Sequence, residues 1–297
     1  MLLDKLATAE GSLLDDPTLI DVLADIKAKS KQVQENLETA TAKTDEINEK
    51  REKYRPVAAR GSVLYFCVTE MANINWMYNT SLYQFLELFD YGIDNAVKPP
   101  RIEDRVENII NCLTYKVYRY MNRIFFEADK LTFKMLMAIR IMIKKGDINV
   151  NDVNLLLKAG AAIMGETPKQ NWMDPKAANN IKALSTHRFE GEGQPFFKDI
   201  FERISRQEKD WRAFIEKQEP ENERIPEYDD KIHSNDKIGH FIHLCLIRAL
   251  REDRTVLASS RFIEKVMGDK KYIDPVNDTI DELYLESRPK RPVVYLL

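Results

Sequence analysis

One row of residues constrains this chain more than any other: Leu19, Leu23, Ile26, Ser30, Val33, Leu37, Ala40, Thr44, Ile47, Arg51 and Tyr54. The steps alternate four and three, which is the a/d spacing of a coiled coil, and the positions between are Lys, Glu, Gln, Asp and Thr. Asp16-Pro17 supplies the start, an acidic N-cap followed by proline at the first helical position. At 1.5 Å per residue the helix is roughly 55 Å long. So narrow an apolar seam requires a second helix to cover it. Met1 to Ala9 carries Leu2, Leu3 and Leu6 on one face, and Glu10 to Asp16, with Gly11, reads as a hairpin turn. That first segment is far too short to cover the seam. The covering arm is therefore expected elsewhere, in a longer protein cut inside the hairpin; the alternative is a homodimeric coiled coil. Arg51 is the odd member of the row. It sets register or meets an acidic partner, or else marks the point where the helix leaves the coil.

Beyond the arm, the punctuation predicts a series of amphipathic helices. The expected segments are Val57 to Ala72, a helix capped by Asn79 or Thr80, and a long helix after the Pro99-Pro100 break. Further ones stop at Gly146 and Gly160, start at Asp174-Pro175, and run unbroken from Phe196 to Gln218. The acidic stretch Glu219 to Asp230, with Pro220 and Pro226, is the expected domain boundary. Helices follow through Ile238 to Leu250, Asp253 to Met267 and Thr279 to Leu285. Val293 to Leu297 reads as a short buried strand. With only 10 glycines in 297 residues, the composition also favours helices over a turn-rich β fold.

The chemistry sought in the sequence is sparse. The net charge is -3 with no sustained basic tract, which argues against a nucleic-acid surface. No apolar run reaches the length of a membrane span and no signal peptide is visible, so a soluble cytoplasmic or cytoskeletal setting is expected. Cys67, Cys112 and Cys245 sit in apolar helical patterns and read as reduced core residues. No Gly-x-x-x-x-Gly-Lys-Ser/Thr loop occurs, so no nucleotide cofactor is expected to bind. His240, His243 and Cys245 form the one metal-like cluster; Cys245 lies on a different side of the helix and no carboxylate completes the set, so they read as structural. No nucleophile elbow is present, and the acidic pairs Asp15-Asp16 and Asp229-Asp230 read as caps or solvated turns. Catalytic, metal and cofactor-binding residues are therefore expected to be absent.

Several motifs, in order, resemble the dynein heavy chain family. They begin with Tyr54-Arg-Pro56, Arg60-Gly-Ser-Val-Leu-Tyr-Phe66, Glu70-Met-Ala-Asn-Ile74 and Met77-Tyr-Asn-Thr-Ser-Leu82. Phe126-Glu-Ala-Asp-Lys-Leu-Thr-Phe133 and Leu155-Leu-Leu-Lys-Ala-Gly-Ala161 follow. Leu246-Ile-Arg-Ala-Leu-Arg-Glu-Asp-Arg254 and Phe262-Ile-Glu-Lys-Val-Met-Gly268 complete the series. Each motif is weak alone; their shared order spans the chain, and the wording around Tyr54 to Asp90 is most similar to an axonemal outer-arm heavy chain of the gamma type.

The resemblance implies an all-α fold: a coiled-coil hairpin arm, then a multi-helix lid-type subdomain, with one short C-terminal strand. Residues 1–55 are expected to be the tip and returning arm of the buttress. Residues 56–226 would be the small subdomain of the fifth AAA+ module, and 227–297 the entry into the sixth. The implied role is a non-catalytic force relay in a microtubule motor of the cytoskeleton and the ciliary axoneme. Its partners would be the stalk coiled coil and neighbouring modules of the same heavy chain. Complex subunits and microtubules would be met only through the parent protein, and nucleic acid and membranes not at all. An apolar pair at a polar hairpin tip marks Ser12, Leu13, Leu14, Asp15, Asp16, Leu19 and Leu23 as the expected stalk contact. The competing readings are a free-standing scaffold that dimerises through its coiled coil, and a helical metalloenzyme using the histidines.

Overall fold

A computed structural model describes residues 17–158, 172–191, 193–234, 238–275 and 278–287. Thirteen α-helices lie among these residues, with no strand. The expected strand at Val293 to Leu297 and the short segment Met1 to Ala9 lie outside the described residues. No helix among the described residues is long and apolar enough to cross a membrane.

The arm is one 37-residue helix, α1 (Pro17–Lys53). Exposed ion pairs Asp25–Lys29 and Glu46–Lys50, each at 2.7 Å, lace its polar faces. Pairs so exposed are screened by solvent and contribute little, so the arm draws little of its stability from its own side chains. Tyr54 then breaks the helix. Pro56 has no N–H to continue the ladder, and it sits in the first turn of α2 (Arg55–Glu70), where none is needed.

Helix α2 is the centre of the body. Leu64, Cys67, Val68 and Met71 are fully buried. Around it pack α3 (Leu82–Asn95), α4 (Ile102–Ile124) and α5 (Glu127–Lys145). Gly61 lets Phe89 of α3 lie directly on the α2 backbone: a Cβ there would come within 2.5 Å of the ring. Tyr78 fastens the turn before α3 to the start of α5. Its hydroxyl donates to Asp129 at 2.5 Å and accepts from the Phe126 N–H at 3.1 Å, and its ring meets Phe125 edge-on. The cap of α3 is Ser81, whose Oγ accepts from the Gln84 N–H, rather than the expected Asn79 or Thr80. Thr80 is instead buried and turns back to the Tyr78 carbonyl.

The second half is built on α11 (Gly239–Leu250), the most apolar helix. It is preceded by α6 (Val150–Lys158), α7 (Pro175–Thr186), α8 (Ile200–Arg206), α9 (Glu208–Glu216) and α10 (Asp229–His233). After it come α12 (Thr255–Met267) and α13 (Ile280–Glu286). Helix α11 packs on α7 and α12, and α12 packs on α5 and so joins the two halves. Asp174 caps α7 as its sequence foretells, and Thr279 with Glu282 closes a capping box on α13. The helix expected from Phe196 to Gln218 is two helices, broken at Gln207. Ile204 before the break and Trp211 after it are both fully buried.

The acidic segment from Glu219 to Asp230 is built into the body. Pro220, Glu221, Ile225 and Tyr228 are buried, and one apolar cluster runs through residues on both sides of it. Glu221 accepts a two-pronged pair from Arg254. Glu227, at φ +58°, sets its carboxylate 2.9 Å from both Arg203 and Arg206.

Gly239 is the tightest backbone approach. A Cβ there would sit 2.1 Å from the carbonyl oxygen of Ile232, an atom that cannot step aside. Gly239→Ala is expected to lower unfolding stability by about 1–3 kcal/mol. Gly193→Ala, which meets nothing within 4 Å, is expected to stay within about 0.5 kcal/mol of the parent. Urea denaturation of the two variants beside the parent checks both.

Candidate functional site: the uncovered arm and its root

Along α1 the seam is bare. Leu23 is 46% exposed, Val33 65% and Ile47 64%, and Ile26 and Leu37 fall in the same range. The polar seam member Thr44 returns its hydroxyl to the Ala40 carbonyl at 2.8 Å. Its hydrogen-bonding need is met within its own helix, so it tolerates a dry interface. Each large aliphatic on the row would contribute about 1.5–3 kcal/mol if covered completely. Of the expected stalk-contact residues, Leu23 is described and exposed. Ser12, Leu13, Leu14, Asp15 and Asp16 lie outside the described residues, as does the side chain of Leu19.

At its C-terminal end the seam opens into a groove of about 620 Å³ between α1, α2, α3 and α4. Val57, Ala58, Phe89, Ile93 and Ile109 form an apolar floor, with Tyr54 at one side. Arg51, Arg55 and Arg105 stand around it. Arg105 is held in place by the end of α3, donating to the carbonyls of Ile93 at 2.6 Å and Val97 at 2.9 Å. Arg55 pairs with Glu52 at 2.7 Å, and this hydrogen bond holds the Glu52 carboxyl below the usual range. Arg51 has no ion-pair partner within 4.0 Å among the described residues. The seam pattern singles out Arg51, but nothing in the sequence joins it to Arg105, which arrives from a different helix.

Elsewhere the polar clusters are structural in form. Asp152 is fully buried and accepts from the Asn149 N–H at 2.9 Å, with His187 Nε2 at 2.7 Å. The pair ties the start of α6 to the end of α7. Arg119 bridges Asp278 and Glu282, and so pins the start of α13 to α4. Neither cluster carries a sequence signal, because its members are far apart in the chain. Cys245 is buried, and burial pushes its thiol far above the ordinary range. Cys67 is pushed up to about 12 for the same reason. Neither is a ready nucleophile or ligand. No group of three or more His, Cys, Asp or Glu among the described residues is arranged to hold a metal.

The fold and the arm thus define a helical body bearing one long helix whose contact face is uncovered. No protein-family model matches the chain. Individual relatives match it from end to end. It is 36% identical over 299 residues to mouse dynein axonemal heavy chain 5 and 37% identical over 300 residues to human dynein axonemal heavy chain 8. To the dynein gamma chain of the flagellar outer arm of Chlamydomonas reinhardtii it is 34% identical over 295 residues. The chain belongs to the dynein heavy chain family. It spans 6% of the length of each of these three relatives, while 98–100% of it is covered.

One buried titratable group gives a pH signature. His243 is 7% exposed, and its Nε2 has no hydrogen-bond partner among the described residues. Burial foremost, and then the charge of Arg261, lower it to about 4. An unfolded histidine titrates near 6.5, so between these values the unfolded chain binds the extra proton. Stability from this group is therefore whole above about pH 6.5 and is lost as pH falls toward 4, in total roughly 3 kcal/mol. His243→Met is expected to flatten the fall in urea midpoint between pH 6.5 and 5; an unchanged slope would refute the assignment.

Proposed function

We propose that this chain is the segment of a dynein motor that braces the stalk and links neighbouring modules of the motor ring. Residues 1–55 are the tip and returning arm of the buttress hairpin. Residues 56–226 are the small helical subdomain of the fifth AAA+ module, and 227–297 lead into the sixth. The segment has no catalytic site, metal or cofactor of its own. It relays movement between the ATP-driven ring and the stalk that meets the microtubule, within the axoneme of a cilium or flagellum. Its direct partners are other parts of the same heavy chain.

The observation that carries this reading is the bare seam of α1 on a chain that matches axonemal dynein heavy chains along its whole length. Such a helix is half of a structure, and a small fraction of a long relative is where half a structure is expected. The same bare seam also fits the competing scaffold, in which a second copy covers it.

The stalk contact is proposed at Ser12, Leu13, Leu14, Asp15 and Asp16, with Leu19 and Leu23 as the first turns of the seam. Contact at the tip biases an element with two arrangements, which is what coupling requires. Leu13→Asp with Leu14→Asp in the full motor is expected to lower microtubule-stimulated ATPase activity and leave basal activity in place. Unchanged stimulation in that double variant would end the proposal.

A further inference from the structure

The groove at the root of the arm is continuous with the seam, since Arg51 and Tyr54 belong to both. A helix lying along α1 would therefore reach the groove floor at Val57, Phe89 and Ile93. It would meet two guanidinium groups that lack carboxylates. Arg105 spends its donors on the backbone carbonyls that end α3 and has no carboxylate within ion-pair distance among the described residues, and Arg51 feels the Glu52 carboxylate without forming an ion pair with it. Glu52, the one acid in the lining, is already bonded to Arg55.

We infer that this groove is a carboxylate-receiving socket, which fixes the register of an acidic amphipathic helix laid on the seam of α1. The inference rests on the proposal that α1 is one arm of a coiled-coil hairpin, and it adds the chemistry of the missing arm at its root. The occupant is a segment of the same heavy chain outside residues 1–297. Residues 1–16 do not qualify. They join α1 at the end remote from the groove, and as a helix they would span about 24 Å against about 55 Å for α1. The relatives are long enough to supply the helix, since the chain spans 6% of them.

A second copy is disfavoured. Set antiparallel along the same seam, it would bring Leu19 to Arg51, an apolar side chain to an unpaired charge. Set parallel, it would bring Arg51 to Arg51.

A guanidinium on a seam otherwise made of Leu, Ile, Val, Ser, Ala, Thr and Tyr also explains specificity. An apolar partner residue would leave the charge partly desolvated and unpaired, and a basic one would repel it. Only a carboxylate or similar acceptor at that one layer satisfies it, so a slip by one heptad is penalised.

The test uses this chain and a fluorescent helical peptide that spans the arm. The peptide has leucine at the seam-facing positions and Glu at the layer opposite Arg51; a second peptide has Gln at that layer. Anisotropy titrations are run with the parent chain, Arg51→Ala and Arg51→Glu, with sedimentation to fix the oligomeric state. The Glu peptide is expected to bind the parent about three- to tenfold more tightly than the Gln peptide. The preference should vanish in Arg51→Ala, reverse in Arg51→Glu, and shrink with added salt. Equal binding of both peptides to the parent would overturn the socket while leaving the hairpin reading intact. Failure of both peptides to bind, or a dimer of the chain alone that excludes them, would overturn the hairpin reading and the socket with it.

Discussion

Everything else in this molecule hangs on the packing of α2. Its apolar side chains Leu64, Cys67 and Val68 are sealed between α4 and α5, and its Gly61 lies under Phe89 of α3. A helix held on three sides cannot tilt without disturbing tightly packed neighbours. The arm is attached to the end of that helix through a single broken turn at Tyr54. The direction in which α1 leaves the body is thus set by the core, although α1 itself contributes little to the core.

Much of this was legible from the chain because the relevant signals are local. Asp174-Pro175 starts a helix, and Gly146 and Gly268 end helices at φ +78° and +74°. Each is decided within one turn of backbone. The failures are instructive for the same reason. The spacing of Phe197, Ile200, Ile204, Trp211 and Ile215 runs straight through Gln207, so periodicity shows no break there. Residues on both sides of the break pack into the same apolar cluster. Likewise Asn79, Thr80 and Ser81 are all competent caps; Ser81 caps α3, while Thr80 is buried.

The candidate site divides in the same way. The seam could be read directly, since it is a repeat on a single helix, and Leu23, Val33 and Ile47 are exposed along it. The groove could not be read. Arg105 lies in an ordinary stretch of α4 and becomes part of the root because it caps the end of α3. The acidic stretch from Glu219 to Asp230, where the domain boundary is expected, is also packed: Glu221 and Glu227 are bound by arginines from α8 and from the turn before α12. Charge in a sequence marks a solvated segment only where the fold provides no counter-charge.

The broken turn at Tyr54 also has a consequence in terms of leverage. A rod of about 55 Å fixed at its root converts a tilt of about 4° in that root into a displacement of about 4 Å at its far end. Small adjustments among the side chains at the root, of the size that packed cores undergo without unfolding, therefore become movements at the tip comparable to most of a helical turn. By the same ratio, a push at the tip is multiplied when it reaches the root.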